Sequence, residues 1–165
     1  NPQDSLQTEA KRFARLVQLA QQESILRGEN YGLEVTINSY RFLHLKNQLW
    51  VEITNDHLLR RRKLPQKMEL ELSLEDTTIV IKPTTQQNSG FSLQGNNDNS
   101  SLNNAGNQAN TPTGKRNKIQ PQVYLLSSGE ITPEFSLRFF YPEVRTSYIV
   151  KGKFDGNIKQ TVSKL

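Results

Sequence analysis

The chain of 165 residues contains no cysteine. That excludes disulfides, thiolate metal sites and cysteine nucleophiles together, and it fits either a reducing compartment or an exported domain large enough to fold without cross-links. Long apolar runs are missing too: nothing approaches the ~18 consecutive apolar residues of a membrane span, and no signal-like apolar segment opens the chain. Histidine occurs only as His44 and His57, so a zinc site or a histidine-based catalytic centre has little to draw on. Apolar residues make up 34% of the chain, an average lowered by one strongly polar block. The excess of one charge sign is modest, 21 Lys and Arg against 16 Asp and Glu for a net +5. That balance permits nucleic acid or anionic lipid as partner without requiring either. The first residue is Asn1 and not methionine, so the expectation is a processed or trimmed piece whose upstream portion is missing.

What is present begins with a helix. In "DSLQTEAKRFARLVQLAQQESILRGENYG", Leu6, Ala10, Phe13, Val17, Ala20 and Ser24 recur at spacings of four and three, one helical face. Ala14 and Leu16 widen that face, and Leu19 and Leu26 lie on another side of the wheel. Asp4 with Gln7 reads as a capping-box start and Gly28 as a left-handed stop, giving about six turns. After Tyr31-Gly32 the period changes to two: "LEVTI", "YRFLHL" and "LWVEI" read as strands separated by turns at Asn38-Ser39 and Lys46-Asn47. "MELELSL" alternates, with Met68, Leu70, Leu72 and Leu74 on one face, and "TTIVIK" follows the Glu75-Asp76 turn. "QVYLLS", "FSLRFFY", "TSYIVKGKF" and "NIKQTV" complete the strands, the last two joined at Asp155-Gly156, a strong hairpin signal. One helix followed by seven or eight short strands predicts an α+β fold, a helix laid on antiparallel sheet. Residues 83–120, rich in Asn, Gln, Ser, Thr and Gly, break the pattern. They read as an insertion over the surface, pinned at Phe91.

Candidate chemistry is thin. "LLSSGEITP" has leucine before its serine pair and a strand after it, so it lacks the flanking glycines and following helix of a hydrolase nucleophile elbow. Ser128-Gly129 reads instead as a turn between strands. Neither spaced-glycine phosphate motif is present, and no basic residue adjoins Gly129. Glu69 and Glu71 alternate with leucines and read as a solvated strand face. "NNDNSSLNN" has one carboxylate and lacks calcium-loop spacing, and Asn99-Ser100-Ser101 is a glycosylation sequon that matters only in a eukaryotic secretory setting. "RRRK", Arg60, Arg61, Arg62 and Lys63, is a like-charge run that must face solvent. It is a candidate anionic-partner patch, for phosphates or lipid headgroups, with a plain charged loop as the alternative. It has no interleaved aromatics to stack bases.

Taken together, "TEAKRFARLVQLAQQESILRGENYGL" followed by strands resembles the helix-to-sheet junction of minor pseudopilins. "LLSSGEITPEFSLRF" resembles the hallmark segment of the H-type minor pseudopilins of bacterial type II secretion systems, a Ser-Ser-Gly-Glu-x-Thr-Pro run before a phenylalanine-led strand. Ser127, Ser128, Gly129, Glu130, Thr132, Pro133 and Phe135 fill those positions as a structural turn. Glu134 intervenes before Phe135, one residue more than the commonest spacing, to be absorbed as a local bulge.

The resemblance implies a single domain in which residues 1–28 form the C-terminal half of a pilin helix. That helix would pack on a two-sheet antiparallel β-sandwich built from 29–82 and 121–165, with 83–120 inserted. It implies an assembly role with no catalysis, no metal and no cofactor. Family members are cleaved and N-methylated by a prepilin peptidase and join a short pseudopilus at or near its tip. They help folded proteins cross the outer membrane. The implied partners are I-, J- and K-type minor subunits and the major pseudopilin, with the secretin or an exoprotein as further candidates. The implied location is the Gram-negative inner membrane, single-pass through an upstream apolar helix, with this domain in the periplasm. The start signal at Asp4 would then lie inside a longer helix. Leu19 and Leu26 are the candidate subunit-contact face. A DNA-binding minor pilin of a type IV pilus or DNA-uptake system is the alternative, kept open by the basic run, although the missing aromatics argue against nucleic acid.

Overall fold

The computed structural model describes residues 1–83 and 119–164. Most of the polar block lies outside that range, as do the expected pin at Phe91 and the Asn99 sequon. The helix α1 runs from Pro2 to Arg27, about seven turns. Asn1 caps it, its side-chain oxygen accepting from the Gln3 amide at 2.9 Å, and Pro2 occupies a first-turn position where no amide hydrogen is needed. The start therefore precedes the expected Asp4. Asp4 sits within the first turn, where its charge favours the positive end of the helix dipole. The stop is as expected: Gly28 adopts φ 65°, and the amides of Gly28 and Glu29 close back on the carbonyls of Ile25 and Ser24.

Among the described residues eleven strands form two antiparallel sheets. The first contains β1 (Tyr31–Val35), β2 (Ser39–Lys46), β3 (Leu49–Glu52), β4 (Arg62–Lys63), β7 (Val123–Leu125) and β8 (Ile131–Thr132). Its order is β3-β2-β1-β7-β8, with β4 also pairing with β2. The second has the order β11-β10-β9-β5-β6. Its members are β5 (Glu69–Leu74), β6 (Thr77–Thr78), β9 (Phe135–Phe140), β10 (Thr146–Gly152) and β11 (Ile158–Lys164). The sheets do not close into a barrel, and the helix covers their shared inner face.

Alternation sets the faces. In β5, Leu70 and Leu72 point inward opposite Phe139 and Leu137 of β9, Leu74 pairs with Phe135, and Glu69 and Glu71 point out. All six residues of the expected helical stripe, Leu6 to Ser24, are buried. Ala14 and Leu16 are buried as well.

Differences from the sequence reading are local. "TTIVIK" contributes only Thr77 and Thr78 to the second sheet. Beyond them Val80 is fully solvated, and the Lys82 carbonyl accepts from the Ile37 amide next to β1, so this run carries the chain from one sheet to the other. The turn after β2 is Asn47-Gln48, both left-handed at φ 52° and 66°, one residue later than expected. The Glu75-Asp76 turn has the same hand at φ 50° and 66°, the geometry that matches strand twist in tight hairpins.

Gly152 of β10 lies directly across from Phe135 of β9. A Cβ placed there would stand 2.2 Å from Phe135 Cε1, so the glycine leaves room for the ring to lie over the neighbouring strand. Overpacking of this kind costs about 1–3 kcal/mol. Gly152→Ala is therefore expected to lower Tm by several degrees in a thermal melt, at ~2–4 °C per kcal/mol for a chain of this size. An unchanged Tm would contradict this packing.

Candidate functional site

The Ser127–Phe135 segment is a hairpin turn followed by a passage between sheets. Tyr124 pairs with Thr132 and Leu125 with Ile131. The turn closes through Leu126 N–H to the Glu130 carbonyl at 2.9 Å and Gly129 N–H to the Leu126 carbonyl at 2.8 Å, with Gly129 at φ 99°. Ser128 donates to its neighbour Glu130 Oε1 at 2.8 Å, and the Ser127 amide donates to Asn30 Oδ1 at 2.9 Å. The turn reading of Ser128-Gly129 is what the structure shows. His44 lies instead beside Glu29 Oε1 at 3.8 Å and the Tyr31 ring, and His57 is exposed. Among the described residues no group of three or more His, Cys, Asp or Glu is placed to hold a metal.

Three other elements hold this turn. From the last turns of α1, Gln21 Nε2 donates to the Gly129 carbonyl at 2.5 Å and the Ser24 hydroxyl reaches the Leu126 carbonyl at 3.3 Å. From the β10–β11 hairpin, the Phe154 carbonyl accepts from the Ile131 amide at 3.2 Å. Gly156, at φ 94°, brings its Cα so close that a Cβ would lie 2.6 Å from the Gly129 oxygen. Sequence reasoning found the Asp155-Gly156 hairpin but not that it docks here, because the contact joins segments far apart in the chain.

Glu134 is not a bulge. It spans the step from β8 to β9: its carbonyl accepts from the Glu75 amide at 2.9 Å, and its carboxylate accepts from the Phe154 amide at 2.9 Å. The extra residue lengthens the crossing between sheets while β9 keeps its register from Phe135 onward.

The basic run divides. Arg62 and Lys63 form β4, with Tyr40 opposite Arg62, so the run is not a free loop. Arg61 binds Glu52 in a fork, Nε to Oε2 at 3.0 Å and Nη2 to Oε1 at 2.6 Å. Glu52 Oε1 also accepts from Arg41 at 2.7 Å, and Arg41 binds Glu34 across the β1–β2 pair at 2.6 Å. Arg62 is half-buried and donates to the Leu58 carbonyl at 3.0 Å. Arg60 and Lys63 are exposed. Full solvent exposure of the run, expected from like-charge repulsion, thus fails for Arg61, which Glu52 neutralises, and for Arg62, which pairs with β2 and bonds the Leu58 carbonyl.

This network shifts its carboxylates in opposite senses. Burial pushes Glu34 above the ordinary value of 4.5, with Arg41 opposing. Burial would also raise Glu52, but hydrogen bonds from Arg61 and Arg41 outweigh it and hold the carboxyl below 4.5. Glu52 therefore contributes stability above the unfolded glutamate value and loses that contribution as pH falls through its lower folded value. Glu52→Gln is expected to cost about 1.5–3 kcal/mol near neutral pH, the range for hydrogen bonds to charged groups. In urea titrations at stepped pH the gap to the parent chain should narrow below pH 4.5. A gap that stays constant down to pH ~3 would contradict this ion pairing.

Of the candidate contact face on α1, Leu26 is 80% exposed and its neighbour Ile25 is 49% exposed. Leu19 is half-buried and packs against the main core.

The chain is 28% identical over 131 residues to the type II secretion system protein H of Aeromonas hydrophila and 27% identical over 135 residues to that of Pseudomonas aeruginosa. The chain is a homologue of the H-type minor pseudopilins. These alignments cover 78% and 81% of the chain, which spans about three-fifths of the relatives' length, 58% and 62%. Two structures of the minor pseudopilin EpsH of Vibrio cholerae superpose with TM-scores of 0.64 and 0.66 at 19% and 18% identity. They cover 95% and 98% of the chain and 96% of each EpsH chain. Escherichia coli GspH gives 0.57 at 17% identity over 93% of the chain and 85% of its own. These structural likenesses are evidence of a shared pseudopilin fold. No protein-family model matches the chain.

Proposed function

We propose that this protein is a minor structural subunit of a type II secretion pseudopilus, acting at or near its tip to help export folded proteins across the outer membrane. The observation that carries the reading is the agreement of sequence with fold. H-type relatives align over most of the chain, and the pseudopilin arrangement of helix and two sheets extends over nearly all of it. Its work is assembly, with no chemical step. The I-, J- and K-type minor subunits and the major pseudopilin are its partners. An upstream apolar helix anchors it in the inner membrane and leaves the domain of residues 1–165 in the periplasm, with 83–120 as an insertion. Among the described residues no helix is long and apolar enough to cross a membrane.

The Ser127–Phe135 turn supports this role by fixing the end of α1 and the β10–β11 hairpin relative to each other. Ile25 and Leu26 emerge beside it; a Cβ at Gly129 would lie 3.5 Å from Ile25 Cδ1. These two side chains form a small apolar surface for a neighbouring subunit. Against the DNA-binding alternative, Arg61 of the basic run is committed to Glu52, which leaves Arg60 and Lys63 as its exposed cations.

Deleting the gene in the producing bacterium is expected to leave type II exoproteins in the periplasm, and unchanged secretion would overturn the reading. In the full-length protein, Leu26→Asp is expected to keep Tm within about 1 °C, as befits an exposed site. The same variant should reduce secretion at least severalfold. Parent-like secretion would remove Leu26 from the contact surface.

A further inference from the structure

A groove of about 480 Å³ runs along α1 on the side turned to the segment before β4, lined by Thr8, Lys11, Arg12, Arg15, Leu16, Leu19, Leu58 and Arg62. Its walls and floor differ in chemistry. Lys11 and Arg15 lie one helical turn apart and are exposed, and Arg62 reaches the same groove from β4. Leu16 and Leu19 form the base, and Leu58, half exposed at 50%, forms the far lip. Charge balance within the groove is incomplete. Arg12 is paired with Glu9 at 3.0 Å. Arg62 donates to the Leu58 carbonyl, which carries no charge, and its Nε is buried with no partner among the described residues. Burial, with Arg60 and Arg12 nearby and Tyr40 and Glu9 opposing, lowers the Arg62 pKa.

We propose that this groove receives an acidic amphipathic helix of a neighbouring pseudopilin subunit, its apolar side chains on Leu16, Leu19 and Leu58 and its carboxylates on Lys11, Arg15 and Arg62. The inference rests on the assembly reading above. Charge complementarity selects acidic residues, and the leucine floor selects a segment that is apolar on one side. A planar lipid surface fits a concave groove poorly, and a nucleic-acid backbone would leave the leucines in contact with water. This gives Leu19 a specific role: its half-buried side chain becomes part of a floor that a partner completes, while Leu26 belongs to a separate surface.

The test uses the full-length protein in the producing bacterium, with a photoreactive benzophenone amino acid in place of Leu58. Irradiation is expected to give an adduct with another pseudopilin. The cross-linked peptide, read by mass spectrometry, should carry Asp or Glu within about one helical turn of the modified residue. The double variant Lys11→Glu, Arg15→Glu is expected to lower adduct yield at least tenfold while leaving Tm unchanged, since both side chains are exposed. Changing the partner's acids to Lys should restore the yield. An adduct with lipid, nucleic acid or a peptide lacking acidic residues would overturn the proposal, as would equal yield in the charge-reversed variant. No adduct in cells whose secretion fails on gene deletion would overturn the groove alone. Normal secretion after deletion would instead remove the assembly reading on which it rests.

Discussion

The ring of Phe13 is where the three layers of this protein meet. It lies edge-on to Tyr40 of β2 at 5.0 Å and contacts Phe135 and Phe139 of β9 at 6.2 and 5.7 Å between centroids. One helix side chain thereby touches both sheets, and edge-to-face contacts of this kind add about 0.5–1.5 kcal/mol each beyond area burial. The stripe on either side, Ala10, Ala14, Val17 and Ala20, is small enough to let α1 sit low across the seam. The helix therefore packs against both sheets, which share one core cluster with it. The Ser127–Glu130 turn lies at the far end of the same helix, where Gln21 and Ser24 reach the Gly129 and Leu126 carbonyls.

Much of this was legible in the chain because it is local. The helical period, the alternation of Met68 to Leu74 and the stop at Gly28 each depend on residues within a few positions of one another. Non-local features escaped. The strands β4 and β8 are two residues long and exist only because β2 and β7 are there to pair with them. Arg60 to Lys63 looked like a solvated run because Glu52, the partner that neutralises Arg61, sits on another strand. Lys11 and Arg15 looked like an ordinary exposed helix face, and nothing nearby in sequence announced that Leu58 and Arg62 would complete a groove beside them. The hallmark turn was recognised as a pattern, whereas its docking onto Asn30, Gln21 and the Phe154–Gly156 hairpin required the fold.

A division of labour follows from these placements. The Ser127 amide, the Ser128 hydroxyl and the Gly129 and Glu130 carbonyls of the turn are held in structural hydrogen bonds, which makes it a fixed corner. Surfaces with unfinished business lie elsewhere: the apolar tip at Ile25 and Leu26, and the cationic groove beside the first half of α1. Both are reached from the helix.

The measurement that bears most directly on the account is amide hydrogen exchange on Phe13→Ala. Truncating a buried aromatic costs about 3–5 kcal/mol, and the aim is to see where that loss appears. If Phe13 couples the layers, protection should fall together in β2 of one sheet and β9 of the other, as well as in α1. Loss confined to α1, with both sheets keeping the protection of the parent chain, would contradict the claim that this ring joins them.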